Sequence, residues 1–237
     1  MKIAVVIPTY NEVGTIECLV RRILVFFQDK AIDGEVVIVD DASPDGTGYE
    51  ATKLALIHEN VFVLNRSAKM GLGSAYKDGF KLALDHGCEG LIEMDADFSH
   101  DPKYLLDFIL MLNEDCGLVI GSRYVLGGDV VGWPLTRKII SHFANHITRF
   151  ILSLTVKDAT SGYRAYSSTT LKQIDYATVK SDGYAFQIEM VHRCQKVGVS
   201  ICEIPIVFVN RKHGKSKLTL REIWRFLKSI ISLLQAD

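Results

Sequence analysis

The sequence predicts an α/β fold, a doubly wound and mostly parallel sheet with helices on both faces. Three observations predict it. Short apolar runs alternate with segments of helical spacing through the first half of the chain. Those runs are continuously apolar, as strands buried on both faces must be. The polar clusters follow strands and do not precede them, so they all line one crevice at the carboxyl ends of the strands.

Taken in order, Lys2 to Ile7 is a β-branched run that reads as the first strand, broken by Pro8-Thr9-Tyr10-Asn11-Glu12. Thr15 to Phe27 carries helical spacing through Ile16, Leu19, Val20, Ile23 and Leu24. Glu35 to Val39 is the second strand, stopped by the turn formers Asp40 to Thr47. A helix over Tyr49 to His58 and a strand over Val61 to Leu64 follow, then a helix opened by Gly71-Leu72-Gly73 and running to His86. Gly90-Leu91-Ile92 leads as a strand into Asp95, Pro102 to Asn113 is a helix, and Gly117 to Ile120 a strand. Beyond a glycine-rich loop at Gly127-Gly128-Asp129, Arg137 to Leu154 reads as an amphipathic helix with Ile139, Ile140, Phe143, Ile147, Phe150, Ile151 and Leu154 on one side. A polar turn from Asp158 to Arg164 precedes the short run Ala165-Tyr166. A helix over Gly183 to Val197, a strand over Ser200 to Val209 and a helix over Leu218 to Leu234 close the chain.

The 237 residues suffice for one large core, and a net charge of −1 gives no field that calls for nucleic acid. The five cysteines have neither metal-ligand nor redox spacing, so buried reduced thiols in a cytosolic protein are expected. Met1 runs straight into a strand, which leaves no room for a signal peptide, and no apolar run is long enough to span a bilayer. A soluble or peripheral protein is expected.

The chemistry centres on Glu93-Met94-Asp95-Ala96-Asp97-Phe98-Ser99-His100. Residues two apart in a strand share a face, so Asp95 and Asp97 can reach one hard cation, Mg²⁺ or Mn²⁺. A bare Asp-x-Asp is also an ordinary solvated turn; its position after a buried strand favours the site. Asp41, at the end of the second strand, suits a nucleobase edge or ribose, whereas Asp45 or Thr47 caps the next helix. Gly71-Leu72-Gly73 either offers backbone N–H groups to an anion or serves close packing. Arg123 either faces the crevice or pairs with Asp129. The basic run Arg211 to Lys217, with Gly214 and Ser216 inside it, fits a loop that grips phosphate. Trp224 and Leu227 lie on the apolar side of the last helix, with Arg221, Arg225 and Lys228 around it, and such a helix suits either a core or an anionic membrane surface.

Pro8-Thr9-Tyr10-Asn11-Glu12, Val39-Asp40-Asp41 with Ser43-Pro44-Asp45-Gly46-Thr47, Asp95-Ala96-Asp97, Gly121-Ser122-Arg123-Tyr124 and Trp133-Pro134 with Arg137-Lys138 occur in that order. The set resembles the polyprenol (dolichyl) phosphate mannosyltransferases, inverting enzymes of the Rossmann-like GT-A fold, over nearly the whole chain. The resemblance implies transfer of mannose from GDP-mannose to a polyprenyl or dolichyl phosphate, with a divalent cation, on the cytoplasmic face of a membrane. It implies that Pro8, Tyr10, Glu12, Val39 and Asp41 hold the guanosine, and that Asp95, Ala96 and Asp97 contact the sugar diphosphate. Asp95, Asp97 and Ser99 would be the metal residues; Ser99 stands where the family often has glutamine, a better neutral ligand. Arg123, Arg137 and Ser141 would receive the acceptor phosphate, with Asp97 and Arg123 central to catalysis, and Arg211 and Lys217 would clamp the diphosphate. The implied division is a catalytic domain over residues 1–217 and a membrane-interface helix over 218–237. Two other readings stand beside this one: a sibling transferase using UDP-glucose or another nucleotide sugar, and a non-catalytic, membrane-associated nucleotide-binding module.

Overall fold

The structure, a computed structural model, describes residues 1–210. Its element order is β1 (Ile3–Thr9), α1 (Ile16–Asp29), β2 (Gly34–Asp40), α2 (Thr47–Ile57), β3 (Val61–Asn65), α3 (Leu72–Asp85) and β4 (Gly90–Glu93), then a 3-10 turn (Pro102–Tyr104) that opens α4 (Leu105–Asn113). There follow β5 (Leu118–Ser122), β6 (Asp129–Val131), α5 (Leu135–Ile151), β7 (Arg164–Ser167), α6 (Ser168–Gln173), a second 3-10 turn (Tyr176–Thr178), α7 (Tyr184–Lys196), β8 (Ile201–Pro205) and β9 (Val207–Val209).

Seven strands form one sheet in the order β3-β2-β1-β4-β7-β5-β8. β1 pairs in parallel with β2 and β4, β2 with β3, and β5 with β8. The exception is β7, antiparallel to both of its neighbours, β4 and β5. The period of two along β1 separates two cores: Ile3, Val5 and Ile7 pack with α1, α2 and α4, while Ala4 and Val6 pack with α3, α6 and α7. A Cβ on Gly79 of α3 would collide with Val6 Cγ1, so glycine lets that helix lie close on the sheet.

The doubly wound sheet is as the sequence predicts, with three corrections in the second half. The expected strand over Ser200 to Val209 divides at Ile206, because Pro205 has no N–H to continue a ladder; beyond it β9 joins β6 in a separate two-stranded sheet. The glycine-rich loop therefore contains a strand, β6. α6 is a helix that periodicity does not announce, capped by Ser167, whose hydroxyl accepts from the Thr170 N–H.

The cysteines also depart from expectation. Cys116 and Cys202 form a disulfide with Cα atoms 6.0 Å apart, and Cys18 is exposed, leaving only Cys88 and Cys194 as buried thiols. The two partners are 86 residues apart in the chain. What brings them together is the pairing of β5 with β8, which no spacing rule reveals.

α5 is built the wrong way round for a core helix. The residues it buries are Asn145 and Thr148. Asn145 Nδ2 donates to the Lys157 carbonyl at 2.5 Å, and its Oδ1 accepts from the Ala159 N–H at 2.9 Å. On the outer side Leu135, Ile139, Phe143 and Phe150 are 73%, 59%, 65% and 82% exposed. No helix of the described residues is long and apolar enough to cross a membrane.

Candidate active site

Parallel pairing puts the carboxyl ends of β1, β2, β4 and β5 on one edge of the sheet. Because β7 is antiparallel, its amino end at Arg164 returns to that same edge, opposite Glu93 and Ile120. The loop over residues 158–163 thereby joins the crevice.

At one end of this edge the loops after β1 and β2 are stitched together. Thr9 Oγ1 donates to Asp40 Oδ1 at 3.0 Å, Asn11 N to Ser43 Oγ at 3.0 Å, and Glu12 N to Thr47 Oγ1 at 2.9 Å. The expected cap at Asp45 or Thr47 is not the one formed: α2 is entered through Gly46, at a left-handed φ of 94° and with no side-chain cap, while Asp45 Oδ1 accepts from the Thr47 N–H at 3.0 Å one residue further out. Pro8 and Val39 are register partners in neighbouring strands, and Lys69 lies 3.4 Å from the centre of the Tyr10 ring. Asp41 is buried and already engaged: Oδ1 accepts from Arg66 Nη1 and Met70 N, both at 2.9 Å, and Oδ2 from Gly71 N at 3.0 Å. Oδ2 keeps a lone pair, whereas Oδ1 is saturated. Arg66, which no motif in the sequence singles out, is thus the residue that orders this loop.

The Gly71-Leu72-Gly73 turn is not an open anion site. Gly71 donates to Asp41, and Gly73 N donates to Asp182 Oδ1 at 2.8 Å. A Cβ on Gly71, where φ is +98°, would strike Asp182, so the chain's own carboxylate occupies this helix start.

Asp95 and Asp97 project from a tight turn beyond β4. Phe98 takes a left-handed φ of 62°, and Asp97 Oδ1 accepts from Ser99 N at 3.0 Å. His100 is buried, and its Nδ1 accepts from the Asp95 N–H at 3.0 Å, which assigns the ring proton to Nε2. Burial lowers its pKa to about 4 despite the pull of Asp97. Ser99 is buried, and its Oγ meets no partner among the described residues. Two carboxylates, one of them 38% exposed, and an orphaned hydroxyl in one turn suit a hard cation that fills its shell with substrate oxygens. Among the described residues no group of three or more His, Cys, Asp or Glu forms a self-sufficient cage.

Behind this turn Glu93 is fully buried, accepting from Gln187 Nε2 at 2.6 Å, and burial raises its pKa to about 8. Arg164, its cross-strand neighbour, is also buried and spends its guanidinium on the carbonyls of Ala159, Ser161 and Gln187.

Arg123 pairs with Asp158, not with Asp129. Nε and Nη2 donate to the two carboxylate oxygens at 2.7 Å each, and Nη2 also reaches Thr160 Oγ1 at 2.8 Å. Burial opposes both charges, yet the pairing prevails: the Asp158 carboxyl lies below its ordinary value and Arg123 above its own. The only signal for Asp158 in the sequence was its place in a polar turn, because the antiparallel β7 that delivers it could not be foreseen. Ser141 Oγ lies 2.8 Å from Tyr124 Oη. Arg137 Nη1 donates to Asn210 Oδ1 at 3.2 Å. Arg123, Trp133, Arg137, Ser141 and Asn210 thus converge beyond β5. Arg211, Lys217 and the helix expected over Leu218 to Leu234, with Trp224 and Leu227, lie outside the described residues.

The model of glycosyl transferase family 2 matches residues 4–175. An undecaprenyl-phosphate mannosyltransferase of Micrococcus luteus is 43% identical over 219 residues, covering 92% of this chain and 88% of its own. A polyprenol monophosphomannose synthase of Mycolicibacterium smegmatis is 43% identical over 216 residues, covering 91% and 80%. Among solved structures, glucosyl-3-phosphoglycerate synthase of Mycobacterium tuberculosis, in a complex with Mn²⁺, UDP and glucosyl-3-phosphoglycerate, superposes with a TM-score of 0.67 at 19% identity, over 99% of this chain and 79% of that one. Mannosyl-3-phosphoglycerate synthase of Rubrobacter xylanophilus gives 0.66 at 15% identity, over 98% and 72%. At those identities the structural likeness speaks for the α/β fold.

Proposed function

The chain belongs to glycosyl transferase family 2 and is a glycosyltransferase, and from that premise we propose that it moves mannose from GDP-mannose to a polyprenyl phosphate with inversion. The observation that carries this reading is the pairing of two unlike ends on one sheet edge. An acidic turn at Asp95 and Asp97 stands beyond β4, and an arginine cluster at Arg123 and Arg137 beyond β5.

A phosphate monoester has its second pKa near ~6, so the acceptor oxygen is anionic at neutral pH and needs no strong base. That oxygen bonds to the anomeric carbon as the bond to the GDP oxygen breaks, and the electron pair leaves with GDP. One displacement of this kind turns an α-linked donor into a β-linked product. The protein's part is to orient and to neutralise. Arg123, fixed by Asp158, and Arg137, fixed by Asn210, hold the acceptor phosphate, with Ser141 beside them. Pro8, Tyr10, Glu12, Val39 and Asp41 cradle the nucleoside, and Ala96 lies against the diphosphate. Asp95, Asp97 and Ser99 would hold a divalent cation, which would supply positive charge against the departing diphosphate. Arg211 and Lys217 clamp the same diphosphate from outside the described residues. The exposed apolar side of α5 rests on the membrane that carries the acceptor, as a peripheral contact on its cytoplasmic face.

The purified chain should show a thermal shift with GDP and Mn²⁺ that exceeds the shift with UDP. It should release GDP from GDP-mannose only when undecaprenyl phosphate is present. A preference for UDP-sugars would replace the donor, and nucleotide binding with no lipid-dependent turnover would leave only a binding module. For Arg137→Ala the expected outcome is weaker acceptor binding with GDP-mannose affinity intact by calorimetry; a large loss of donor affinity would move Arg137 to the nucleotide side.

A further inference from the structure

Trp133 lies between the two arginines of the acceptor end. The guanidinium carbon of Arg137 is 4.0 Å from an indole ring centre, and that of Arg123 is 5.7 Å away. Phe208 meets the indole edge-on at 5.5 Å and stands 5.8 Å from Arg123. The same Phe208 meets His100 at 5.7 Å, and His100 in turn holds the backbone of Asp95. An aromatic column therefore joins the acidic turn beyond β4 to the first turn of α5.

The indole Nε1–H is buried and finds no acceptor among the described residues. A buried donor without a partner is a standing penalty, and a ligand that brings an oxygen relieves it. Two guanidinium groups around one ring keep this corner positive even with Asp158 bound to Arg123, and an anion is favoured there. Stacking on a ring face turns the N–H edges of a guanidinium toward the ring's rim; in Arg123 the edge carrying Nε and Nη2 is engaged by Asp158 and Thr160.

We propose that Trp133 binds and positions the acceptor phosphate: its ring holds Arg137 and Arg123 toward one point, and its Nε1–H donates to the phosphate placed there. The inference rests on the reading of the acceptor as an isoprenyl phosphate. It adds a neutral donor to a site otherwise composed of arginines and a serine, and it ties that site to the donor end through Phe208.

The chain has two tryptophans, so in a Trp224→Phe background the indole emission comes from Trp133 alone. Farnesyl phosphate, a short isoprenyl phosphate, should change that emission saturably, while farnesol and GDP should not. Trp133→Leu should weaken farnesyl phosphate binding about tenfold, the size of a lost stack and hydrogen bond, with GDP affinity within about twofold of wild type. Trp133→Phe keeps the stack without the donor and should recover part of the loss, to about threefold. Emission indifferent to farnesyl phosphate, or both variants binding it as wild type does, overturns the proposal. A response to GDP equal to that with farnesyl phosphate also overturns it, because Trp133 would then serve the donor. All these readouts are of binding. A chain that binds farnesyl phosphate through Trp133 yet moves no mannose sinks the transferase reading and leaves this one standing.

Discussion

At the scale of single residues, Glu93 and the pair Arg123–Asp158 show what burial does to charge, and the turn at Asp95 to Ser99 offers a charge to remove. Asp97→Asn keeps the turn's shape while removing one negative charge from the proposed cation site. Losing such a ligand costs about 3 kcal/mol, so turnover should fall roughly a hundredfold; activity within twofold of wild type would remove Asp97 from the mechanism. Glu93 offers a test that needs no turnover. Its carboxyl is raised from an ordinary 4.5 to about 8 by burial, so the folded chain keeps a proton that the unfolded chain releases. Stability is then lost as pH rises from about 4.5 through about 8, at up to about 1.4 kcal/mol per pH unit. Glu93→Gln removes the titration, so calorimetry between about pH 5 and pH 8 should show the wild type losing Tm relative to the variant as pH rises. Parallel slopes would mean that Glu93 is ionised throughout. Asp95, Asp97 and Arg123 were legible in the sequence because each follows an apolar strand. Arg66, Asp158 and Asp182 were not, because each acts on a residue 25 to 109 positions away.

At the scale of elements, α5 carries the most information. Its apolar stripe was legible from periodicity, but the direction it faces was not. An amphipathic pattern states only that two sides differ, and the fold chooses the polar side by offering Asn145 the backbone of Lys157 and Ala159. Phe143 and Phe150 are exposed, so replacing both by serine should leave Tm nearly unchanged. Flotation with anionic vesicles should fall at least about tenfold, since two phenylalanines each contribute about 1.5–3 kcal/mol when removed from water. Undiminished flotation, or a drop in Tm of several degrees, would show that this side serves the protein and not a bilayer. The helix caps, the glycine at Gly71 and the break at Pro205 follow from local chemistry. The parallel β6–β9 pair does not, because nothing in a three-residue strand specifies a partner.

At the scale of the molecule, the parallel half of the sheet was readable from its continuous apolar runs, and its mixed half was not. Ala165-Tyr166 was too short to declare a direction, and the Cys116–Cys202 bond follows from strand order alone. That bond spans 86 positions of the chain, and a loop of such length contributes about 4.6 kcal/mol in the chain-entropy account. Reduction should therefore lower Tm by on the order of 10 °C. An unchanged Tm under a strong thiol reductant would mean that the two sulfurs are not bonded in solution.

The reversed strand β7 also acts as a spacer. Neighbouring strands stand about 4.8 Å apart, so one strand between β4 and β5 sets the tips carrying Asp95 and Arg123 roughly 10 Å from each other. The width of that gap belongs to the peptide backbone and its hydrogen bonds, and no side-chain substitution can retune it. For the reaction proposed above it leaves room for one sugar ring between two phosphates. Were β4 and β5 direct neighbours, the departing diphosphate and the incoming phosphate of that proposed reaction would repel each other before a sugar could pass between them.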